Sequence, residues 1–289
     1  WYSSAQGRAY VFYGGSIVTE NASGADVIYT GEAGSGFGFG WDIETGDFNA
    51  DGTEDLAVSG VYYGDPTYRG RVYIFHGGSM SSSNASAADE IITGENTGGR
   101  FGSHMKTGDY NDDGKDDLAI GAYYYNTDVG RVYVFYNSSL TTSGAESADL
   151  VIDGETSGDY LGGVGNIVSG DINADGRDDL ILGSGFHDSQ IGRIYIFYGE
   201  SIRSTGVENA NVVIDGESNL GYGAGAGAEV GLADMDNNGV VDLIVAASAY
   251  GPVEYDGRVY ILMSEASAEH VSTMKINGTV KFNGSVKFH

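Results

Sequence analysis

Apolar residues along this chain come in short runs separated by stretches rich in Gly, Ser, Asn and Asp, and nothing in the pattern sustains a helical period. The clearest run is the phrase G-R-x-Y-x-F, which starts at Gly7, Gly70, Gly130, Gly192 and, with Leu for Phe, at Gly257. Side chains alternate between the faces of a strand, so Val72 and Ile74 point one way while Tyr73 and Phe75 point the other. Apolar residues on both faces predict a strand covered on both sides. A polar loop follows each phrase, then a further run: ADVIYTGE, ADEIITGE, ADLVIDGE or ANVVIDGE. Two more complete the unit, first FGFGWDIETG, FGSHMKTG, LGGVGNIVSG or YGAGAGAEVGLA, then DLAVSGVYY, DLAIGAYYY, DLILGSGFH or DLIVAASAY. The last set is rich in Gly and Ala, as close approach of neighbouring sheets requires. Four short strands per unit, with turn residues between, predict an all-β fold: a β-propeller of four-stranded antiparallel blades.

Between those last two runs lies a nine-residue acidic stretch that occurs four times. The first copy places Asp47, Asn49, Asp51 and Asp55 at its first, third, fifth and ninth positions, with Gly52 at the sixth. The others place Asp109, Asn111, Asp113 and Asp117 around Gly114; Asp171, Asn173, Asp175 and Asp179 around Gly176; and Asp234, Asp236, Asn238 and Asp242 around Gly239. The first residues are 62, 62 and 63 positions apart, and a fixed period marks a repeat architecture. Ca²⁺ takes about six to eight oxygen ligands, which alternate residues of a tight loop can supply, and Gly permits the sharp turn. The backbone carbonyls of Thr53, Lys115, Arg177 and Val240, at the seventh positions, would add one ligand per loop. As solvated acidic turns the four stretches would crowd carboxylates that repel one another, so the pattern predicts about four Ca²⁺ sites. An EF-hand is excluded, because the twelfth positions hold Val58, Ile120, Leu182 and Val245 rather than a bidentate Glu.

Charge narrows the partners. The formal charge is −27, from 41 acidic and 14 basic residues, and four bound Ca²⁺ would leave it strongly negative. Nucleic acid and anionic membranes are poor partners for such a field, which suits a salty medium where repulsion is screened. No Cys is present, so disulfides and thiolate metal sites are excluded. No apolar run approaches the ~18 residues of a membrane span. The chain starts mid-pattern at Trp1, as a mature product or a fragment would.

An F-G pair before the acidic loop, the D-x-[DN]-x-[DN]-G-x-x-D loop itself and a small G-A-like triplet after it together resemble the FG-GAP repeat of the integrin α-chain propeller. The pairs are Phe37-Gly38 and Phe101-Gly102, replaced by Leu161-Gly162 and Tyr222-Gly223 in the later repeats, and the triplet is clear at Gly121-Ala122. The resemblance reaches to about Ser267. It implies that the loop residues above ligate Ca²⁺ on one face of a propeller, with the second site the most standard and the fourth, after a Gly-rich run, the least. Dockerin-like and thrombospondin-like repeats share the nine-residue pattern but space it more closely. The implied organisation is a half-blade at 1–32, calcium-loop blades at 33–95, 96–155, 156–217 and 218–273, and a basic tail at 274–289.

The tail, with its NGTVKF–NGSVKF doublet, reads as a strand pair with Asn-Gly turns. Either the chain is part of a larger propeller, or the tail supplies strands that the N-terminal half-blade lacks, within one chain or between neighbours. The arginines of the repeated phrase (Arg8, Arg71, Arg131, Arg193, Arg258) pair with a loop carboxylate or a ring, or else recognise a ligand. Sequons at Asn21, Asn84, Asn137, Asn277 and Asn283 suggest glycosylation, the first three in equivalent loops; chance in Ser- and Asn-rich loops is the alternative.

No catalytic constellation stands out, since the five His (His76, His104, His187, His270, His289) occupy no common repeat position. The first functional reading is a non-enzymatic, extracellular or cell-surface adhesion or scaffold module. Its Tyr-rich loops (Tyr62, Tyr63, Tyr123, Tyr124, Tyr125, Tyr250) meet a protein or glycan, or else cap blade packing. The second is a calcium-dependent polysaccharide lyase or hydrolase built on Arg69, Arg100, His104 and His187. The third is a structural unit that polymerises by strand exchange.

Overall fold

The structure is a computed structural model that describes residues 6–15, 21–32, 38–64, 66–163, 166–199, 202–203, 205–216, 229–247, 258–264 and 287–288. All five G-R-x-Y-x-F phrases are strands: Arg8–Val11, Arg71–Phe75, Arg131–Phe135, Arg193–Phe197 and Arg258–Leu262. In the first complete sheet, Phe39–Gly46, Asp55–Gly60, Arg71–Phe75 and Glu90–Thr93 pair antiparallel in chain order. The second repeats this with Met105–Gly108, Asp117–Ala122, Arg131–Phe135 and Leu150–Asp153. The third uses Ile167–Gly170, Asp179–Ser184, Arg193–Phe197 and Val212–Asp215. Before them stands an N-terminal pair, Arg8–Val11 with Val27–Thr30, and after them Glu229–Ala233, Asp242–Ala247 and Arg258–Leu262.

Three of the described sheets also gain a short strand that the alternation did not reveal. The polar loop of the following sheet returns two residues to its outer edge in parallel: Ser83–Asn84 onto Val27–Thr30, Ser143–Gly144 onto Glu90–Thr93, and Thr205–Gly206 onto Leu150–Asp153. A 3₁₀ turn follows each addition and buries Ala85, Ala145 or Val207. Successive sheets are thereby stapled at their rims while their first strands touch in sequence. Longer helical elements are absent from the described residues, where Tyr125–Asp128 and His187–Gln190 form single turns.

The core lies between sheets. Val72, Ile74 and Ile92 of the first complete sheet pack with Phe101, Met105, Leu118, Ile120 and Tyr133 of the second, and the same layering recurs at the junctions before and after. In the three complete sheets both faces of the G-R-x-Y-x-F strand are buried, as predicted, whereas Tyr10 and Val259 of the first and last such strands are exposed; each fully buried large side chain contributes about 1.5–3 kcal/mol. The second strands, DLAVSG, DLAIGA and DLILGS, are buried at every position.

Two sequence expectations change. The F-G pair of the first repeat is Phe39-Gly40 and not Phe37-Gly38. Phe39 sets its ring 5.4 Å from Tyr73 as Phe101 does from Tyr133, and Gly40, Gly102 and Gly162 share φ values of 82, 87 and 78°. The doublet F-G-F-G offered two registers, and only packing against the preceding Gly-Arg turn selects one. The described part of the tail, Lys287–Phe288, pairs with Val212–Val213 on the third sheet, not with the N-terminal pair. Phe37, Tyr222, Tyr250, Asn277, Asn283 and the rest of the tail lie outside the described residues.

Candidate functional site

All four acidic stretches are connectors between the first and second strands of their sheets, and they fold alike. In the first, Asp47 Oδ1 accepts from the Asp51 amide at 2.9 Å and Asp47 Oδ2 from the Gly52 amide at 2.7 Å. Asn49 Oδ1 accepts a second time from Asp51 N, and Asp51 Oδ1 accepts from Thr53 N, both at 2.8 Å. The same bonds recur around Asp109, Asp171 and Asp234. Gly52, Gly114, Gly176 and Gly239 take φ of 85, 78, 91 and 90°, as the turn requires. The fourth positions, Ala50, Asp112, Ala174 and Asn237, are left-handed as well, which the pattern of oxygens did not disclose.

The ninth-position carboxylates start the second strands and are sealed in the core: Asp55, Asp117, Asp179 and Asp242 are all buried. Each is met by a backbone amide from beyond the third strand, Gly77, Asn137, Gly199 or Ser264, at 2.7–2.9 Å. Burial pushes Asp117 and Asp179 up to about 7, and Asp55 in the same direction. Hydrogen bonds with Thr53 and Asn49 hold the exposed Asp51 low. Asp55 Oδ2 is buried without a hydrogen-bond partner.

A cation fits this chemistry. An all-oxygen donor set ending in a buried carboxylate is what a hard cation takes, and its charge would offset the cost of ionising that group. In the fourth loop Asp234, Asp236 and Asp242 bring carboxylate oxygens within 4.8 Å of one another. That loop is distinctive because Asp236 stands where the others have Asn. Asn49, Asn111 and Asn173 keep their side-chain oxygens at the same third position. The seventh-position residues Thr53, Lys115, Arg177 and Val240 each donate a backbone amide to the fifth-position side chain, which turns the chain there.

At the far end of the second strands, about 17 Å away for six residues in extended conformation, the connectors carry rings. Trp41 lies 5.7 Å from Tyr62, which lies 5.8 Å from Tyr68. Arg100 bridges to the next sheet, its guanidinium 5.3 Å from Tyr62 and 4.0 Å from Tyr124, with Nη1 donating to the Tyr123 hydroxyl at 2.6 Å. Tyr124 meets Tyr160 at 5.4 Å, and Tyr160 meets Phe186 at 5.3 Å. The belt crosses three sheets, with Trp41, Tyr68 and Phe186 exposed at 44, 37 and 43 %. Tyr160 and Phe186 occupy the repeat positions of Arg100 and Tyr124, so aligning the repeats would have found them.

Other expected residues separate from this belt. Tyr63 and Tyr125 stack on Arg71 and Arg131 at 3.5 and 3.8 Å, inside the sheet junctions. Those arginines join a carboxylate of the preceding sheet: Arg71 to Glu32, Arg131 to Glu95 and Arg193 to Glu155 at 2.8–3.1 Å. Arg71 and Arg131 thus pair with both a carboxylate and a ring, and Arg193 pairs with the carboxylates of Glu155 and Asp215. His187 is buried with Nδ1 3.0 Å from Asp159 Oδ2, His104 Nδ1 lies 3.2 Å from Asp42, and Arg69 donates to the Glu95 carbonyl. Among the sequons, Asn21 caps a 3₁₀ turn with its side-chain oxygen. Asn84 stands at the equivalent turn, but its Nδ2 donates to the Gly31 carbonyl at 3.0 Å. Asn137 is not equivalent: it follows the third strand directly, and its Nδ2 donates to the Asp47 carbonyl at 3.1 Å.

Comparison with known proteins places these features. The FG-GAP repeat family model matches residues 39–75, 101–135 and 164–197, which begins the first repeat at Phe39. Bovine phosphatidylinositol-glycan-specific phospholipase D is 32% identical over 204 residues, covering 63% of this chain and 24% of that protein. Integrin alpha-5 of Xenopus laevis is 32% identical over 227 residues, 72% of this chain and 20% of the integrin. Integrin alpha-PS2 of Drosophila melanogaster is 29% identical over 225 residues, covering 72% and 15%. The chain thus spans a quarter or less of each of these relatives.

Proposed function

The chain carries FG-GAP repeats related to those of integrin α-chains, and from that premise we propose a calcium-stiffened, extracellular interaction module of propeller type. Four calcium-loop blades follow an N-terminal half-blade in this reading. Each loop holds Ca²⁺ through its first, third, fifth and ninth side chains and its seventh carbonyl. The observation that carries it is the division of labour along one set of strands. Buried carboxylates close one end, and partly exposed rings spread over the other. Cations at the first end would hold the sheets in register so that the aromatic end presents a fixed surface. Rings combining apolar area with a hydroxyl suit a protein or glycan ligand. Bound Ca²⁺ supplies charge neutralisation and rigidity here, and the ligand contacts fall to side chains such as Trp41, Tyr68 and Phe186.

A non-enzymatic role is favoured by the placement of the lyase candidates. Arg100 is caged by rings and His187 is tied to Asp159, each already engaged within a sheet junction. Related sequence occurs in a phospholipase D as well as in integrins, over the same repeat region. The test separates the two ends. Removing Ca²⁺ with a chelator should lower the melting temperature, since a ligand of the native state at about 1,000 times its Kd adds about 4 kcal/mol per site. Trp41→Ala with Phe186→Ala should leave that shift intact and abolish retention on a panel of glycans and surface proteins. An unchanged melting temperature on chelation would refute the metal half of the proposal, and unchanged retention by the double variant would refute the aromatic half.

A further inference from the structure

Three of the four acidic loops touch through side chains that the nine-residue pattern leaves without a role. Asp116, at the eighth position of the second loop, accepts the backbone N–H of Asp47 on Oδ2 at 2.7 Å. Asp178, at the eighth position of the third loop, accepts the N–H of Asp109 in the same way at 3.0 Å. Both acceptors reach back exactly one sheet, to the first residue of the preceding loop. Glycine permits the approach: a Cβ at Gly46 would meet Thr107 Cγ2 at 2.9 Å and Asp116 Oδ2 at 3.1 Å. Asn137 adds a second bridge between the first two loops, its backbone N–H donating to Asp117 Oδ1 and its Nδ2 to the Asp47 carbonyl. Arg177 of the third loop pairs with Asp112 of the second at 3.0 Å. The series stops at the fourth loop, where Val241 holds the eighth position and has no carboxylate to offer the N–H of Asp171.

We propose that Asp116 and Asp178 are positioning residues that couple the first three calcium loops in series, leaving the fourth independent. The inference rests on the proposed calcium sites. Each acceptor directly precedes the buried ninth carboxylate of its own loop, so a cation that fixes Asp117 also fixes Asp116. That carboxylate then holds the peptide N–H of Asp47, whose side chain is the first ligand of the neighbouring site. Outer partners of this kind change metal affinity about 10–100-fold when removed. Coupling between sites is reciprocal, so filling either loop tightens the other.

The test follows the Gly52, Gly114, Gly176 and Gly239 amides by NMR during Ca²⁺ titration, each amide reporting its own loop through its bond to the first aspartate. Asp113→Ala, which disables the second loop without touching Asp116, should weaken Ca²⁺ at Gly52 about tenfold and leave Gly239 unchanged. Asp116→Ala should weaken Gly52 by a similar factor, and the two changes together should add little more. Should Asp113→Ala fail to fold, Asp116→Asn beside Asp116→Ala tests the same link: Asn keeps an acceptor oxygen for the Asp47 N–H, so Gly52 should titrate nearly as in the unsubstituted protein, whereas the Ala variant should not. Four amides that titrate independently in both variants would overturn the coupling while leaving calcium binding intact. No Ca²⁺-dependent shift at any of them would remove the sites and the coupling together.

Discussion

Arg131 is the side chain whose loss should most clearly test how the sheets are joined. Its Nε and Nη2 grip both oxygens of Asp153 at 2.6 and 2.9 Å, Nη1 reaches Glu95 of the preceding sheet at 3.1 Å, and its plane lies 3.8 Å from the Tyr125 centroid. Arg131→Met keeps much of the apolar stem while removing the charge and the fork. Breaking a fully buried pair costs about 3–5 kcal/mol, whereas an exposed pair is worth about 0–1 kcal/mol. The Arg131 side chain is 16 % exposed, but Glu95 and Asp153 are 31 and 45 % exposed, so water can recover part of both carboxylates. The loss therefore falls between the limits, about 2–3 kcal/mol, including about 1 kcal/mol from the ring face. Urea unfolding at fixed Ca²⁺ measures it. A double-mutant cycle with Glu95→Gln isolates the contact between sheets, for which about 1 kcal/mol of coupling is expected. Arg71→Met should cost less, because its Nε bonds the neutral Thr93 hydroxyl where Arg131 grips Asp153. An Arg131→Met loss below about 0.5 kcal/mol, or no coupling to Glu95, would refute the clamp.

Gly70→Ala should destabilise far more than Gly52→Ala by thermal unfolding. Both have left-handed φ, but a Cβ at Gly70 would sit 2.0 Å from the Phe101 carbonyl oxygen while one at Gly52 meets nothing. Asp159 gives a pH-dependent term. Burial alone would raise it, yet hydrogen bonds with His187 and Thr156 hold it below the usual carboxylate range. Its contribution is thus present above the unfolded value of about 4 and lost as pH falls through the lower folded value, so Asp159→Asn should flatten the acid limb of stability. Finally, intact-mass and peptide mapping of protein from a glycosylating host should find Asn137 unmodified, because its amide nitrogen is committed to Asp47.

Much of this architecture was legible because period and alternation agree. The recurring G-R-x-Y-x-F phrase implied strands buried on both faces, and the 62-residue spacing of the acidic loops implied repeated sheets. Less visible was anything fixed by contact between repeats. The two-residue rim strands have no hydrophobic signature, since Ser83–Asn84 and Thr205–Gly206 pair through backbone alone. Asp116 and Asp178 look like surplus acid in an acidic loop until the preceding sheet supplies the N–H that they accept. Sequon chemistry likewise said nothing of where the Asn137 amide points.

Backbone strain shows how stability and function divide along the fold. Every described non-glycine residue with positive φ lies either at the fourth position of an acidic loop or in a connector at the aromatic end. The first set is Ala50, Asp112, Ala174 and Asn237; the second is Tyr68, Arg100, Asn126, Thr127, Asp128, Tyr160 and Asp188. Each costs on the order of 1–2 kcal/mol and persists only where its surroundings over-determine it. In the acidic loops the hydrogen bonds onto the first aspartate supply that constraint, and a cation would strengthen it. At the other end it comes from the ring contacts of Tyr68, Arg100 and Tyr160. The strands between carry no such strain and bury nearly all their side chains, so they can bear the cost. A substitution within the second strands should therefore lower stability at both ends together, while one in either set of connectors should act at that end alone.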